Sequence, residues 1–280
     1  MQVVQTIPEL RAAVAQARAA GKSVGFVPTM GCLHAGHLAL VTRARQEATY
    51  TVVSIFVNPT QFGPNEDFSC YPRTFEADRA ACESAGADLI FAPTPADFYP
   101  AGAATWVDVA GLSAGLCGEF RPGHFRGVAT VVAMLFNAVQ ADVAVFGQKD
   151  LQQLAVIRRM VRDLHLPVRI IGHETVRESN GVAMSSRNRY LSPEDFQRAT
   201  AIPAALAEAR RLVTAGETDS ALIRAAVQAC LALEPTLRPQ YVELVDQETM
   251  APVTQVTPGR CALAIACHLG NTRLIDNTLL

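Results

Sequence analysis

The chain alternates between short apolar runs and longer segments in which apolar residues recur every three or four positions. The short runs are rich in valine, isoleucine and phenylalanine, as is typical of strands buried on both faces. They are Val24–Val27, Thr51–Val57, Leu89–Ala92, Val143–Phe146 and Val168–Ile171. The segments with helical periodicity are Pro8–Ala20, Ala35–Ala48, Thr74–Ala85, Val128–Val139 and Leu151–Leu164. This alternation predicts an α/β protein with a doubly wound, Rossmann-like parallel sheet.

The pattern changes after residue 174. Ser192–Asp195 marks the start of a helical pair that extends to about Leu233. Three short strand-like runs follow, Tyr241–Val245, Cys261–Cys267 and Arg273–Ile275. We therefore expect two domains, a Rossmann-like domain over residues 1–174 and a smaller α+β domain over residues 175–280.

Composition narrows the class of protein. The 280 residues are 50% hydrophobic and 18% charged, with a net charge of −2, which argues against disorder and against tracking of a nucleic-acid backbone. Seven cysteines without a Cys-x-x-Cys spacing predict free thiols and a cytoplasmic location. The longest uncharged apolar run, Gly127–Ala141, is too short to span a bilayer, so we expect no membrane association.

Two histidines three positions apart follow the strand Val24–Val27. Pro28 and Gly31 end that strand, and helical periodicity resumes soon afterwards, so His34 and His37 are predicted in the first turn of a helix. Unpaired backbone N–H groups and the helix dipole attract anions there, which indicates a phosphate site. The alternatives are a structural pair of histidines, or a zinc site for which no third ligand is evident nearby.

Polar clusters follow two other predicted strands, and a third lies near the domain junction. Because ligands of doubly wound sheets bind at the carboxyl ends of the strands, we interpret these clusters as parts of one site. Each would otherwise be read as a solvated turn or helix cap. The clusters are Asn58–Phe62, Gly147–Gln153 and the loop Ser185–Arg187.

A resemblance to a known family is carried by five strings, which occur here in the same order as in that family. In chain order they are Val27–His37, Asn58–Phe62, Tyr71–Thr74, Phe146–Gln153 and Met184–Leu191. The first resembles the HIGH motif of the nucleotidyltransferase superfamily, and in its longer form it resembles the pantothenate synthetase (pantoate–beta-alanine ligase) family. The last resembles the counterpart of the KMSKS loop of class I tRNA synthetases.

This resemblance implies an enzyme that condenses pantoate with beta-alanine to give pantothenate. ATP is consumed through a pantoyl-adenylate intermediate, and pyrophosphate and AMP are released. Magnesium would be bound by the phosphates, without a metal site built from protein side chains. The family also implies a homodimer and closure of a loop containing Tyr71. The roles of Arg121, His124 and Arg126, which lie in a further matching string, stay open.

The resemblance also implies roles for individual residues. The catalytic groups would be His34, His37, Lys149 and Arg187. ATP would contact Met30, Gly31, Cys32, Leu33, His34, Ala35, Gly36, His37, Gly147, Gln148, Lys149, Asp150, Val176, Met184, Ser185, Ser186 and Arg187. Pantoate would contact Pro28, Met30, Gln61, Val131, Val132 and Gln153, and beta-alanine would contact Asn58, Gln61 and Arg187.

Two other functions compete with this interpretation. One is a nucleotidyltransferase that makes a dinucleotide, against which the amide-rich string Asn58–Phe62 argues. The other is a catalytically silent sensor of adenine nucleotides. Only the ligase would exchange pyrophosphate into ATP in a pantoate-dependent manner.

Overall fold

Six parallel strands form the main sheet of the computed structural model, which describes residues 1–64 and 66–280. The strands are β1 Gln2–Val4, β2 Val24–Thr29, β3 Tyr50–Ile55, β4 Leu89–Phe91, β5 Val143–Gly147 and β6 Arg169–His173. Their spatial order is β1-β4-β3-β2-β5-β6, so the order reverses beside β2. The carboxyl ends of β2, β3 and β5 therefore meet at one edge, where doubly wound sheets bind their ligands.

Helices connect the strands and continue into the second half of the chain. They are α1 Ile7–Ala19, α2 Ala35–Glu47, α3 Phe75–Ser84, α4 Pro95–Phe98, α5 Cys117–Phe120, α6 His124–Val139, α7 Leu151–Asp163, α8 Pro193–Arg198, α9 Ala201–Thr214 and α10 Ser220–Ala232. None of the helices in the described ranges is long and apolar enough to cross a membrane.

Both faces of the parallel sheet are covered. On one face, Phe26 and Val52 belong to the same apolar cluster as residues of α1, α6 and α7. On the other face, their neighbours Val27 and Val53 pack with residues of α2 and with Cys82 of α3. Successive side chains of a strand point to opposite faces, so strands buried on both sides have no polar face. The prediction of a doubly wound sheet is confirmed.

The second sheet contains three antiparallel strands, β7 Leu237–Asp246, β8 Cys261–Leu269 and β9 Thr272–Leu279. Helices α9 and α10 pack against it and form a second apolar cluster. The predicted helical pair is in fact three helices, because α8 ends at Arg198, shortly before α9 begins. The smaller α+β unit is confirmed, and the boundary between residues 174 and 175 stays a prediction.

Two local features differ from the sequence analysis, a strand that was not predicted and the position of His34. Gln2–Val4 forms an edge strand that pairs with β4, although three residues are too short to show a periodic pattern. His34 is not in the first helical turn, because its backbone is extended (φ −137°, ψ 174°) and it caps the amino terminus of α2. The seven cysteines are free, as predicted.

Candidate active site

A cavity of about 240 Å³ lies at the carboxyl ends of β2, β3 and β5. It adjoins a larger cavity of about 740 Å³, with which it shares residues including Lys149, Ser185 and Arg187. Most of the predicted site residues line the smaller cavity. They are Pro28, Met30, His34, Gly36, His37, Asn58, Gln61, Val131, Val132, Gly147, Lys149, Asp150, Gln153, Val176, Met184, Ser185, Ser186 and Arg187.

Five residues predicted to contact ATP do not line this cavity. They are Gly31, Cys32, Leu33, Ala35 and Gln148. The side chain of Cys32 is buried, with 1% of its residue surface exposed. Several lining residues were not predicted, among them Thr29, Phe56 and Phe146. They belong to strand ends or to apolar runs, so no sequence signal separates them from the core.

The rings of the two histidines lie side by side at the start of α2, with centroids 4.1 Å apart and planes tilted by 39°. Nδ1 of His34 accepts the N–H of Gly36 at 3.2 Å, and Nδ1 of His37 accepts the N–H of His34 at 3.3 Å. A neutral imidazole that accepts at Nδ1 carries its proton on Nε2. Each ring therefore has an Nε2–H group that these two contacts leave unused.

Burial keeps both imidazoles uncharged. It lowers the pKa of His34 to about 4, and the positive charges of Lys149 and Arg189 act in the same direction. Burial lowers the pKa of His37 to about 3, with a further contribution from His34. At neutral pH the two rings are therefore neutral hydrogen-bond donors and not cations.

A buried carboxylate holds the loop that precedes α2. Asp78 of α3 accepts the N–H groups of Cys32 at 2.9 Å and Leu33 at 2.7 Å, and its residue surface is 3% exposed. Gly31 and Cys32 both have positive φ angles (80° and 51°), so consecutive N–H groups converge on the carboxylate. Sequence reasoning missed Asp78 because an acidic residue in an amphipathic helix usually faces solvent.

The amide of Gln61 reaches the cavity with support from Asn58. Asn58 Nδ2 donates to Gln61 Oε1 at 3.1 Å and to the carbonyl of Gly127 at 3.2 Å, while Tyr99 donates its hydroxyl to Asn58 Oδ1 at 2.8 Å. Asn58 is 1% exposed. Its two amide protons are thus both used by the protein, and its contacts orient Gln61.

Arg121 and His124, whose roles the sequence leaves open, contact the backbone of Gln61. His124 Nδ1 lies 2.8 Å from the carbonyl oxygen of Gln61, and Arg121 Nη2 donates to the same oxygen at 3.3 Å. Burial, with the charge of Arg121, lowers the pKa of His124 to about 4. The neutral ring therefore donates through Nδ1–H and accepts the guanidinium of Arg121 at Nε2, 3.1 Å away.

Two ion pairs connect Glu66 and Asp67, which line the larger cavity, to Arg121 and Arg187. Arg121 Nε donates to Glu66 at 2.7 Å, and Arg187 donates to both carboxylate oxygens of Asp67 at 2.9 and 3.2 Å. Tyr71 adds a hydroxyl contact of 3.5 Å to Ser186. The loop predicted to close over the site therefore contacts the Ser185–Arg187 segment.

The sequence profile of the pantoate-beta-alanine ligase family matches residues 2–279. A pantothenate synthetase of Moorella thermoacetica is 52% identical over 280 residues, covering 100% of this chain and 99% of the relative. Pantothenate synthetase 1 of Bradyrhizobium diazoefficiens is 54% identical over 280 residues, covering 100% of this chain and 98% of the relative.

Solved structures agree in fold. The crystal structure of pantothenate synthetase from Thermus thermophilus has a TM-score of 0.95 at 49% identity, covering 100% of this chain and 99% of that chain. The pantoate-beta-alanine ligase of Francisella tularensis, in complex with beta-gamma ATP and beta-alanine, has a TM-score of 0.81 at 30% identity, covering 100% and 97%. The prediction of a ligase is confirmed. The chain belongs to the pantoate–beta-alanine ligase family.

Proposed function

We propose that this protein joins pantoate to beta-alanine in two steps that share one cavity. In the first, a carboxylate oxygen of pantoate attacks the α-phosphorus of ATP, giving pantoyl adenylate and pyrophosphate. In the second, the amine of beta-alanine attacks the acyl carbon, loses a proton and displaces AMP, giving pantothenate. The observation that carries the proposal is the meeting of two neutral imidazoles, a lysine and a buried glutamine in one cavity.

The histidines serve as donors to phosphate oxygens in the first step. Their Nε2–H groups are free of the two contacts that hold the rings, and low pKa values keep the rings neutral at pH 7. A preorganised neutral donor stabilises charge that develops on the α-phosphate without itself losing a proton. His34 and His37 therefore act by electrostatics and positioning, and no enzyme nucleophile is needed.

Lysine, serine and arginine side chains would hold the rest of the polyphosphate. Lys149 has no ion pair within residues 1–64 and 66–280, so its charge is available to a phosphate. Arg187 is paired with Asp67, so an incoming triphosphate would compete with that carboxylate for the guanidinium. Ser185 and Ser186 line the cavity beside Arg187, and Val176 lies nearby for the adenine ring.

The proposed pantoate pocket combines two side-chain amides with an apolar wall. Gln61 and Gln153 provide amide groups for the carboxylate and hydroxyls of pantoate. Val131 and Val132 of α6 line the same cavity and suit the gem-dimethyl group of that substrate. Beta-alanine would enter beside Gln61 and Arg187 after pyrophosphate leaves, with Asn58 acting mainly through Gln61.

Magnesium would bind chiefly to the phosphates. Across the described ranges, no group of three or more His, Cys, Asp or Glu could hold a metal ion. Asp150 lines the cavity and offers a carboxylate oxygen, which suits an ion that usually takes one or two protein carboxylates together with substrate phosphates. The ion would neutralise part of the triphosphate charge. The cytoplasmic location and the homodimer also stay predictions.

The deciding experiment is exchange of labelled pyrophosphate into ATP, with and without pantoate. We expect exchange only when pantoate is present, followed by pantothenate formation when beta-alanine is added. Exchange without pantoate would favour a dinucleotide-making enzyme. Binding of ATP with no exchange under either condition would favour a nucleotide sensor and would contradict the proposal.

A further inference from the structure

Strand β9 of the smaller sheet contacts the turn that carries Lys149. Asn277 Nδ2 donates to the carbonyl of Gln148 at 2.9 Å and to the carbonyl of Lys149 at 2.9 Å. The residue is 4% exposed. Next to it, Asp276 forms a bidentate ion pair with Arg177, with distances of 2.7 and 3.1 Å. The two contacts join the smaller sheet to the region around the cavity.

The two acceptors of Asn277 belong to the peptide groups on either side of the Lys149 Cα atom. Because each peptide group is planar, fixing both groups fixes the two backbone angles between them. Those angles set the direction in which the Lys149 side chain leaves the backbone. Asn277 thereby restricts the region that the Lys149 ammonium group can reach.

The turn has little other support from side chains. Neither the short helix Gln148–Asp150 nor α7 has a side-chain cap at its start. Within residues 1–64 and 66–280, no side chain other than Asn277 hydrogen-bonds the backbone of residues 148–150. The Oδ1 atom of Asn277 is buried without a hydrogen-bond partner, so the amide acts in this position as a double donor only.

We infer that Asn277 is a positioning residue for Lys149 in the first half-reaction, an inference that rests on the proposed function. It does not contact the reacting atoms itself. It holds the Lys149 turn so that the ammonium group meets the polyphosphate of ATP, and misplacement by about 1 Å can cost on the order of 100-fold in rate. The smaller domain thus contributes to catalysis through the backbone of the larger one.

Two substitutions separate this role from simple packing. Asn277→Ala removes both donors and leaves a small cavity, whereas Asn277→Asp keeps the shape but turns carboxylate oxygens toward two carbonyl oxygens. We expect both variants to lower kcat/KM for ATP in pantoate-dependent exchange by about 10- to 100-fold. A packing role predicts instead that the aspartate variant is close to wild type. Asn137→Ala, which removes an exposed amide bonded to the Ala133 carbonyl within α6, is the matched control and should leave exchange unchanged.

A double-mutant cycle tests whether the effect passes through Lys149. In a Lys149→Met background, we expect Asn277→Ala to change both the exchange rate and the Kd for ATP by less than about 3-fold. An equal loss in both backgrounds would overturn the inference, because it would show action by another route. The Kd is measured by calorimetry without turnover, so the cycle closes even where exchange is too slow to follow.

Failure of the inference can be told apart from failure of the proposed function. If wild-type protein shows no pantoate-dependent exchange, the proposed function fails. If wild-type protein exchanges and the Asn277→Ala and Asn277→Asp variants exchange equally well, only the role of Asn277 fails. Thermal melts identify a variant that is merely unfolded, and if Asn277→Ala is unfolded, the exchange assay and the cycle with Lys149→Met are carried out with Asn277→Asp.

Discussion

At the scale of single residues, the protonation of His34 and His37 determines what they can do. With pKa values of about 4 and 3, both rings are neutral at pH 7 and donate through Nε2–H. In the proposed mechanism, replacing either by alanine removes one donor to the transition state, which typically costs about 10²- to 10³-fold in rate. We expect this loss for His34→Ala and His37→Ala in pyrophosphate exchange. Near wild-type exchange in a variant with a native circular dichroism spectrum would refute the assignment.

Substitution of Gln61 should impair both half-reactions and leave ATP binding almost unchanged. Gln61→Ala should weaken pantoate binding by about 1 to 3 kcal/mol, the usual cost of leaving a buried partner without its hydrogen bond. It should also slow aminolysis of preformed pantoyl adenylate, while the Kd for ATP changes little. Single-turnover kinetics of each half-reaction and an ATP titration measure these effects. Loss of ATP affinity alone would show that Gln61 is a nucleotide ligand.

The buried ring of His124 makes folding stability depend on pH. Its pKa is about 4 in the folded protein and about 6.5 when unfolded, so the unfolded chain binds more protons between those values. The free energy of unfolding therefore falls as the pH drops from about 6.5 to 4, by roughly 3 kcal/mol for this group. Urea titrations of wild type and His124→Gln should show a smaller pH dependence in the variant. Parallel pH profiles would contradict the neutral buried ring.

The sequence predicts site residues whose type indicates a chemical role, and it misses residues that support the site through their position in the fold. His34, His37, Lys149 and Gln61 lie in strings that resemble the ligase family and follow predicted strands, and these residues line one cavity; their roles stay predictions. Asp78 and Asn277 support the site from separate elements, and their spacing along the chain bears no relation to the residues they hold. Contacts of that kind depend on the tertiary fold, so a local pattern does not show them.

At the scale of elements, α6 and the turn Pro59–Gln61 pack so closely that only glycine fits between them. A Cβ atom at Gly127 would lie 2.6 Å from the Thr60 carbonyl carbon and 2.8 Å from the Gln61 nitrogen. Alanine favours a helix over glycine by about 1 kcal/mol, but a backbone clash typically costs about 1 to 3 kcal/mol or more. We expect Gly127→Ala to lower Tm and to weaken pantoate binding.

A matched control for this prediction is Gly115→Ala. A Cβ atom at Gly115 meets nothing within 4 Å, and its backbone does not require glycine. The Tm and the pantoate affinity of Gly115→Ala should therefore match those of the wild type. If Gly127→Ala were as stable as the control, the close packing of α6 on the Gln61 turn would be wrong.

Sequence predicted the long elements well and the short ones poorly. The strands β2, β3 and β5 carry continuous apolar runs, so their burial and their polar ends could be recognised together. β1, α4 and α5 contain three or four residues each, which is too few for a repeating apolar pattern to be recognised. The order of strands in the sheet also depends on contacts across the whole chain, and the doubly wound class was predictable only because strands and helices alternate.

At the scale of the whole molecule, the two sheets share one apolar cluster. Val245, Ala262 and Ala264 of the smaller sheet pack in the same cluster as Phe136 and Phe146 of the larger unit. The hydrogen bonds from Asn277 to the Gln148 and Lys149 carbonyls add a polar link between them. Unfolding one unit while the other stays folded would therefore expose apolar surface and would leave the Gln148 and Lys149 carbonyls without Asn277. This coupling favours unfolding of both units together.

We therefore expect one thermal transition, with calorimetric and van't Hoff enthalpies that agree. Asp276→Asn should lower the midpoint temperature of that single transition, because it removes the negative charge that pairs with Arg177. The Asp276 side chain is only 2% exposed. Breaking such a pair from one side costs about 3 to 5 kcal/mol when both partners are buried, and less here because Arg177 is 31% exposed. Differential scanning calorimetry of both proteins measures the effect. Two resolved transitions in the wild type would show that residues 175–280 unfold independently, and the coupling between Asn277 and Lys149 would then be weaker than the packing indicates.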